Sequence, residues 1–207
     1  MSLFVRLYTL FDNSECDVNN GKRFFAYVID WFLGSLFTML PMCIMWLLLT
    51  KDMDKMAGVN VMYIAGQVST SKAYLAGFLS TVFALFYYVV IPWKIHRGQT
   101  IGKRMMGFKI VQKNNEEVTL STLIIRQVIG IIIIEGALYN VSGILHSMLS
   151  LATNINFISI LMYVGLAISV CSGFLVLKIN SRRMFHDYLA KTKVIAFEEE
   201  EHQKESI

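Results

Sequence analysis

Charge is what this chain has least of. Asp, Glu, Lys and Arg make up 16% of its 207 residues, against about 25% in an average soluble chain. The shortage is concentrated in long stretches. Between Arg23 and Lys51 the only charge is Asp30, and none lies between Lys72 and Lys94 or across residues 155–177. Other absences narrow the function. The three cysteines, Cys16, Cys43 and Cys171, form no CxxC pair, and two of them sit in apolar segments as packing residues. His96, His146, His186 and His202 are scattered, so a metal site lacks its three or more converging ligands. No nucleophile elbow supports a Ser/His/Asp triad. The segment 98–104 is glycine-rich and basic. It has three residues, not four, between Gly98 and Gly102, and Arg104 rather than Ser or Thr after Lys103. A phosphate-cradling P-loop is thereby excluded. The chain reads as a non-enzyme without cofactor or metal. Residues 1–11 hold neither a long apolar run nor a small-residue cleavage site, so the first span is expected to target the chain.

What is present is apolar length. Hydrophobic residues are 55% of the chain. Four segments approach the ~20 residues needed to cross a bilayer: 24–49, 74–93, 123–145 and 155–177. Cations flank them unevenly. Lys22 and Arg23 precede the first span. Lys94, Arg97, Lys103, Arg104, Lys109 and Lys113 follow the second, and Lys178, Arg182, Arg183, Lys191 and Lys193 follow the fourth. The positive-inside rule places all three groups, and both termini, in the cytoplasm. Lys51, Lys55 and Lys72 run against this, offset in part by Asp52 and Asp54. The net charge of +4 fits orientation in a membrane rather than nucleic-acid binding. The fold class expected is all-α membrane: a four-helix transmembrane bundle with a small cytoplasmic β element. Residues 1–21 form an arm with a short interfacial helix near 3–11, residues 22–197 the transmembrane domain, and residues 198–207 an acidic tail.

Polar residues inside the spans are the candidate working groups. A lone carboxylate in a membrane helix costs about 2.5–3.5 kcal/mol on insertion scales, so it has a partner or a task. Tyr27, Asp30, Gly34 and Thr38 recur on one helical face behind Arg23. That stripe either packs on neighbours or lines a polar pathway. Glu135, in the third span, begins a second stripe with Tyr139, Ser142 and His146. It is either a hydrogen-bonded bundle residue or a cation or proton site shared with Asp30. The cations of residues 96–111 are expected to meet anionic lipid headgroups. Ser121 is placed to cap the helix carrying Arg126. Residues 108–112 and 193–197 are short and β-branched or aromatic, and are expected to pair as strands, setting His186-Asp187 against the 98–107 loop.

These residues resemble the RDD family of small membrane proteins, named for one arginine and two aspartates. The matching positions are Arg23, Asp30 and Asp187. The run Gly98-Gln99-Thr100-Ile101-Gly102-Lys103-Arg104 is similar to the family's G-Q-T-x-G-K-R segment, and His186-Asp187 followed by Thr192-Lys193-Val194 to its closing stretch. The likeness covers roughly residues 20 to 196. It implies a bacterial inner-membrane protein for which transport, and cation/proton exchange in some members, has been suggested. Asp187 is expected at the cytoplasmic interface within reach of cations such as Arg23, Arg104 or Arg126, because arginine's fork binds a carboxylate through two bonds. A non-transporting scaffold, assembly or stress-protection role stands beside transport. Four helices enclose little space, so a homo-oligomer is expected to serve either role.

Overall fold

The structure is a computed structural model and describes residues 15–197. The expected arm helix and acidic tail lie outside the described residues. Helix α1 (Asn20–Thr50) runs about 46 Å at 1.5 Å per residue, enough to cross a bilayer with tilt. Asn19 starts it, its side chain accepting the Gly21 N–H at 2.7 Å, and Lys51 ends it in a left-handed turn. A one-turn 3-10 segment (Met56–Gly58) and the short helix α2 (Val61–Gln67) follow. Residues 50–73, whose mixed charge reads as a loop with room for part of a helix, hold both. Helix α3 (Thr70–Ile95) is the second long apolar helix, and its last ten residues take wide π-helical geometry.

The chain then makes α4 (Ile101–Met105), strand β1 (Phe108–Gln112) and helix α5 (Leu120–Ile134), of which Ile124–Ile134 is again π-helical. Thr119, not Ser121, caps α5 by accepting the Thr122 N–H at 3.2 Å. A 3-10 turn (Gly136–Leu138) leads to α6 (Asn140–Thr153). Helix α7 (Phe157–Lys178), the short α8 (Phe185–Leu189) and strand β2 (Thr192–Ala196) complete the described chain.

Among the described residues three helices, α1, α3 and α7, are long and apolar enough to span a membrane. The continuous third span expected over 123–145 is corrected: the helix stops at Glu135, and α6 begins separately at Asn140. Glu135 turns out of the helical path to meet partners on α7 and α8 (below), and the 3-10 turn absorbs the change of direction. A stripe from Glu135 to His146 therefore does not exist as one helical face. Ser142 instead donates to the Ile132 carbonyl at 2.7 Å, closing α6 back onto α5.

Helix α7 packs with small and polar residues inside and large apolar ones outside, the reverse of a water-soluble helix. On α7 the buried residues are Gly165, Ser172 and Val176, while Phe174 and Leu177 are largely exposed. Membrane helices pack this way because lipid is as apolar as leucine, so close approach and hydrogen bonds hold neighbours together. Buried apolar residues form three layers along α1. One joins Ala26 to Val89, Leu123 and the strands, a middle one surrounds Tyr87, Tyr88 and Ile132, and a far one surrounds Met42, Trp46 and Ile64. The two strands pair antiparallel, with Phe108 opposite Ala196 and Gln112 opposite Thr192. This is the pairing expected from their composition. The sheet joins the segment after α3 to the end of the chain and closes the basic end of the bundle.

Candidate functional site

Two polar clusters sit beneath the sheet, and α1 supplies a residue to each. The first is built on Asp30, which is 3% exposed. Its carboxylate accepts four hydrogen bonds: from the Tyr87 hydroxyl at 2.9 Å, the Thr100 hydroxyl at 2.5 Å, the Gly102 amide at 2.9 Å and the Lys103 ammonium at 3.0 Å. Lys103 also donates to the Thr100 oxygen at 2.9 Å. Gly102 is required by proximity, since a Cβ there would stand 2.4 Å from the Ala26 carbonyl and 2.9 Å from the Asp30 carboxyl carbon. The loop is shaped for this approach. Gly98 turns with positive φ and accepts the Ile110 N–H, while Gln99 donates to the Phe108 carbonyl at 3.1 Å. Two consecutive tyrosines of α3 serve Asp30, Tyr88 donating to its backbone carbonyl at 3.1 Å. The wider π-helical turn reduces the rotation between neighbouring residues, so both can face α1. Lys103 lies outside the spanning helices. Burial holds its ammonium below the usual lysine range, and Asp30 offsets this only in part.

The second cluster links α1, α5, α7 and α8. Asp187 is 1% exposed, and Arg126, 3% exposed, binds its Oδ1 through Nε at 3.0 Å and Nη2 at 2.9 Å. The Thr192 hydroxyl donates to the same oxygen at 3.1 Å, and the Met184 N–H donates to Oδ2 at 3.2 Å. Arg23 approaches Oδ2 at 3.8 Å and donates to the Arg182 carbonyl. Burial alone raises the Asp187 pKa, but the guanidinium groups of Arg126 and Arg23 outweigh it and hold the carboxyl well below the usual range. His186 extends the network: its Nδ1 lies 2.9 Å from Glu135 Oε2 and its Nε2 3.1 Å from Arg126 Nη2. Arginine only donates, so Nε2 accepts and Nδ1 carries the proton toward Glu135. Glu135 Oε1 accepts the His186 N–H at 3.1 Å and the Ser172 hydroxyl at 3.0 Å. Gly130 permits this contact, since a Cβ there would meet His186 Cβ at 2.6 Å.

Several expectations are corrected. The 98–107 loop clasps Asp30, not His186-Asp187. Thr38 is not part of a polar pathway: its hydroxyl donates to the Gly34 carbonyl of its own helix at 2.6 Å, beneath Tyr88. The cations that reach Asp187 are Arg126 and Arg23, whereas Arg104 lines a pocket of about 420 Å³ with His96 and Phe197. Asp30 and Glu135 do not share ligands. They line one cavity of about 580 Å³, with Tyr27 and Tyr139 meeting edge to face beside it at 6.0 Å. Tyr87, Tyr88 and Ser172 were not singled out from sequence, and Thr192 only as part of the closing stretch after His186-Asp187. A tyrosine pair within an apolar span was the available signal for the first two. Ser172 lies in a span read only for its lack of charge.

A helical membrane-type protein is defined by three apolar helices long enough to cross a bilayer and by one arginine and two aspartates buried at their sheet-capped end. The RDD family model matches residues 18–191, and the chain belongs to that family. Neither a curated protein nor a solved structure matches it.

Proposed function

We propose that this protein is an inner-membrane carrier, not an enzyme, which moves protons against a small cation, with the sheet and both termini on the cytoplasmic side. One observation carries the reading. Asp30 and Glu135 line one cavity; Asp30 is paired with Lys103, a base that can release a proton, and Glu135 is hydrogen-bonded to His186. Asp187, by contrast, is paired with two arginines, which hold theirs. When Lys103 is neutral, the Asp30 carboxylate and the Thr100 and Tyr87 oxygens become a site for a small cation. Cation and ammonium then compete for one carboxylate, the minimum requirement for exchange. Burial lowers the lysine's proton affinity and so favours this step.

Purified protein in liposomes, with an internal pH indicator and an imposed sodium or potassium gradient, tests the proposal. Wild type should move protons, and Asp30→Asn should abolish the movement while remaining folded. Full flux in a folded Asp30→Asn variant refutes the Asp30 mechanism. A second reading, a non-transporting scaffold, is favoured by the four hydrogen bonds that tie Asp30 to α3 and the loop. Absence of flux in wild type selects it.

A further inference from the structure

The 580 Å³ cavity has features that proton exchange does not use. Arg126 and Gln127, 3% and 2% exposed, both line it, and each keeps one buried nitrogen, Nη1 and Nε2, with no partner among the described residues. A buried donor left unpaired costs about 1–3 kcal/mol, so two neighbouring ones call for an acceptor. Around them the fixed charges balance. Arg23, Lys103 and Arg126 face Asp30, Glu135 and Asp187.

The cavity also has a direction. Its lining on α1 runs from Asn20 to Asp30, about 15 Å at 1.5 Å per residue, half of a ~30 Å hydrocarbon core. Its lining on α7 is the final part of that helix, Ser169 to Leu177. Both helices have their basic ends here. The cavity is therefore one leaflet deep, with Arg23, Arg126 and Gln127 toward the basic end and Ile131, Leu138 and Val170 as deeper apolar wall. Phe24 on α1 and Phe174 and Leu177 on α7 line it while being 61%, 59% and 70% exposed. The flank they border is open to the bilayer.

We propose that this cavity binds one membrane phospholipid of net negative charge. The phosphodiester accepts from Arg126 Nη1 and Gln127 Nε2, and an acyl chain runs along the deeper wall toward the bilayer centre. Among the cations of the 96–111 segment Lys103 lines the site, whereas Arg97 and Lys109 do not, and the proposal does not rest on the exchange reading. A scaffold would hold the same lipid.

The test uses the full chain, delipidated in a neutral detergent, with native mass spectrometry and melting temperature as readouts. Phosphatidylglycerol, phosphatidylcholine with the same acyl chains, and inorganic phosphate are added separately. One phosphatidylglycerol per chain should be retained, raising the melting temperature by several degrees. Phosphatidylcholine should bind about tenfold more weakly or less, and phosphate alone should do nothing. Arg126 substitutions would strand Asp187, so two other variants probe the site. Gln127→Leu removes one donor. Gly173→Leu fills the cavity from α7, where an added Cβ meets nothing within 4 Å. Both should lose lipid retention by about tenfold while still folding without lipid. Equal retention of the two lipids in wild type, which marks ordinary boundary lipid, overturns the proposal. So does stabilisation by phosphate alone, which marks a free-anion site, or unchanged retention in both variants.

Discussion

Asp187→Asn isolates the Asp187 cluster with the least change of shape. The side chain is 1% exposed and faces Arg126 and Arg23. Asparagine keeps an acceptor for Arg126 or Thr192 but removes the charge. Its amide also places a donor where Oδ2 now accepts the Met184 N–H. Removing one partner of a buried ion pair costs about 3–5 kcal/mol, because the remaining charge is left without its counterion. The lost Met184 bond caps α8 and is worth about 1 kcal/mol, within the same range. We expect a loss near 4 kcal/mol in total, read as a large drop in melting temperature and in folded yield in detergent. The pH dependence follows from the sign of the shift. The folded Asp187 pKa lies below the unfolded value, so its contribution is fully present above the usual carboxylate range of about 4. It is lost as pH falls through the folded value. The gap between wild type and variant should be flat from about pH 5 to 8 and narrow only in stronger acid. A variant within about 1 kcal/mol of wild type at neutral pH would refute the reasoning, since even half of the pair's expected value exceeds that.

Three further outcomes follow from the geometry. Gly102→Ala should destabilise by about 1–3 kcal/mol, because its Cβ would press on the Ala26 carbonyl at 2.4 Å; an unchanged melting temperature counts against the close packing of α4 on α1. With Cys16, Cys43 and Cys171 replaced by serine, Lys109→Cys and Ile195→Cys, which face each other across the sheet, should crosslink under mild oxidation. A mobility shift on a non-reducing gel reports it, and its absence would disprove the register. Cysteines at Asn114 and Thr153 should label from opposite sides of the membrane, and labelling of both from one side would overturn the proposed orientation.

Much of the architecture is written locally. The lengths of α1, α3 and α7 follow from uninterrupted apolar runs, because a bilayer demands about 20 residues and tolerates little charge. The strand pair was legible because two short β-branched segments have few other ways to satisfy their backbone groups. Asp30 stood out because a charge inside a span is costly, and Arg23 and Asp187 through the resemblance to the RDD family. Other features were decided only by tertiary contact. The largely apolar stretch from 123 to 145 is long enough to read as one span, although Glu135 and Gly136 interrupt it where the helix stops. At that point the Glu135 carboxylate accepts from His186, 51 residues later, a contact that spacing along the chain does not reveal. Which aspartate meets which cation was equally hidden. Sequence spacing places Lys103 and Arg126 near the same end of the bundle. Only the close approach at Gly102 gives Asp30 to Lys103, and only the approach at Gly130 gives Asp187 and Glu135 to Arg126 and His186. Hydrophobic length is a property of consecutive residues, whereas ion pairing depends on ångström distances between segments that only packing brings together.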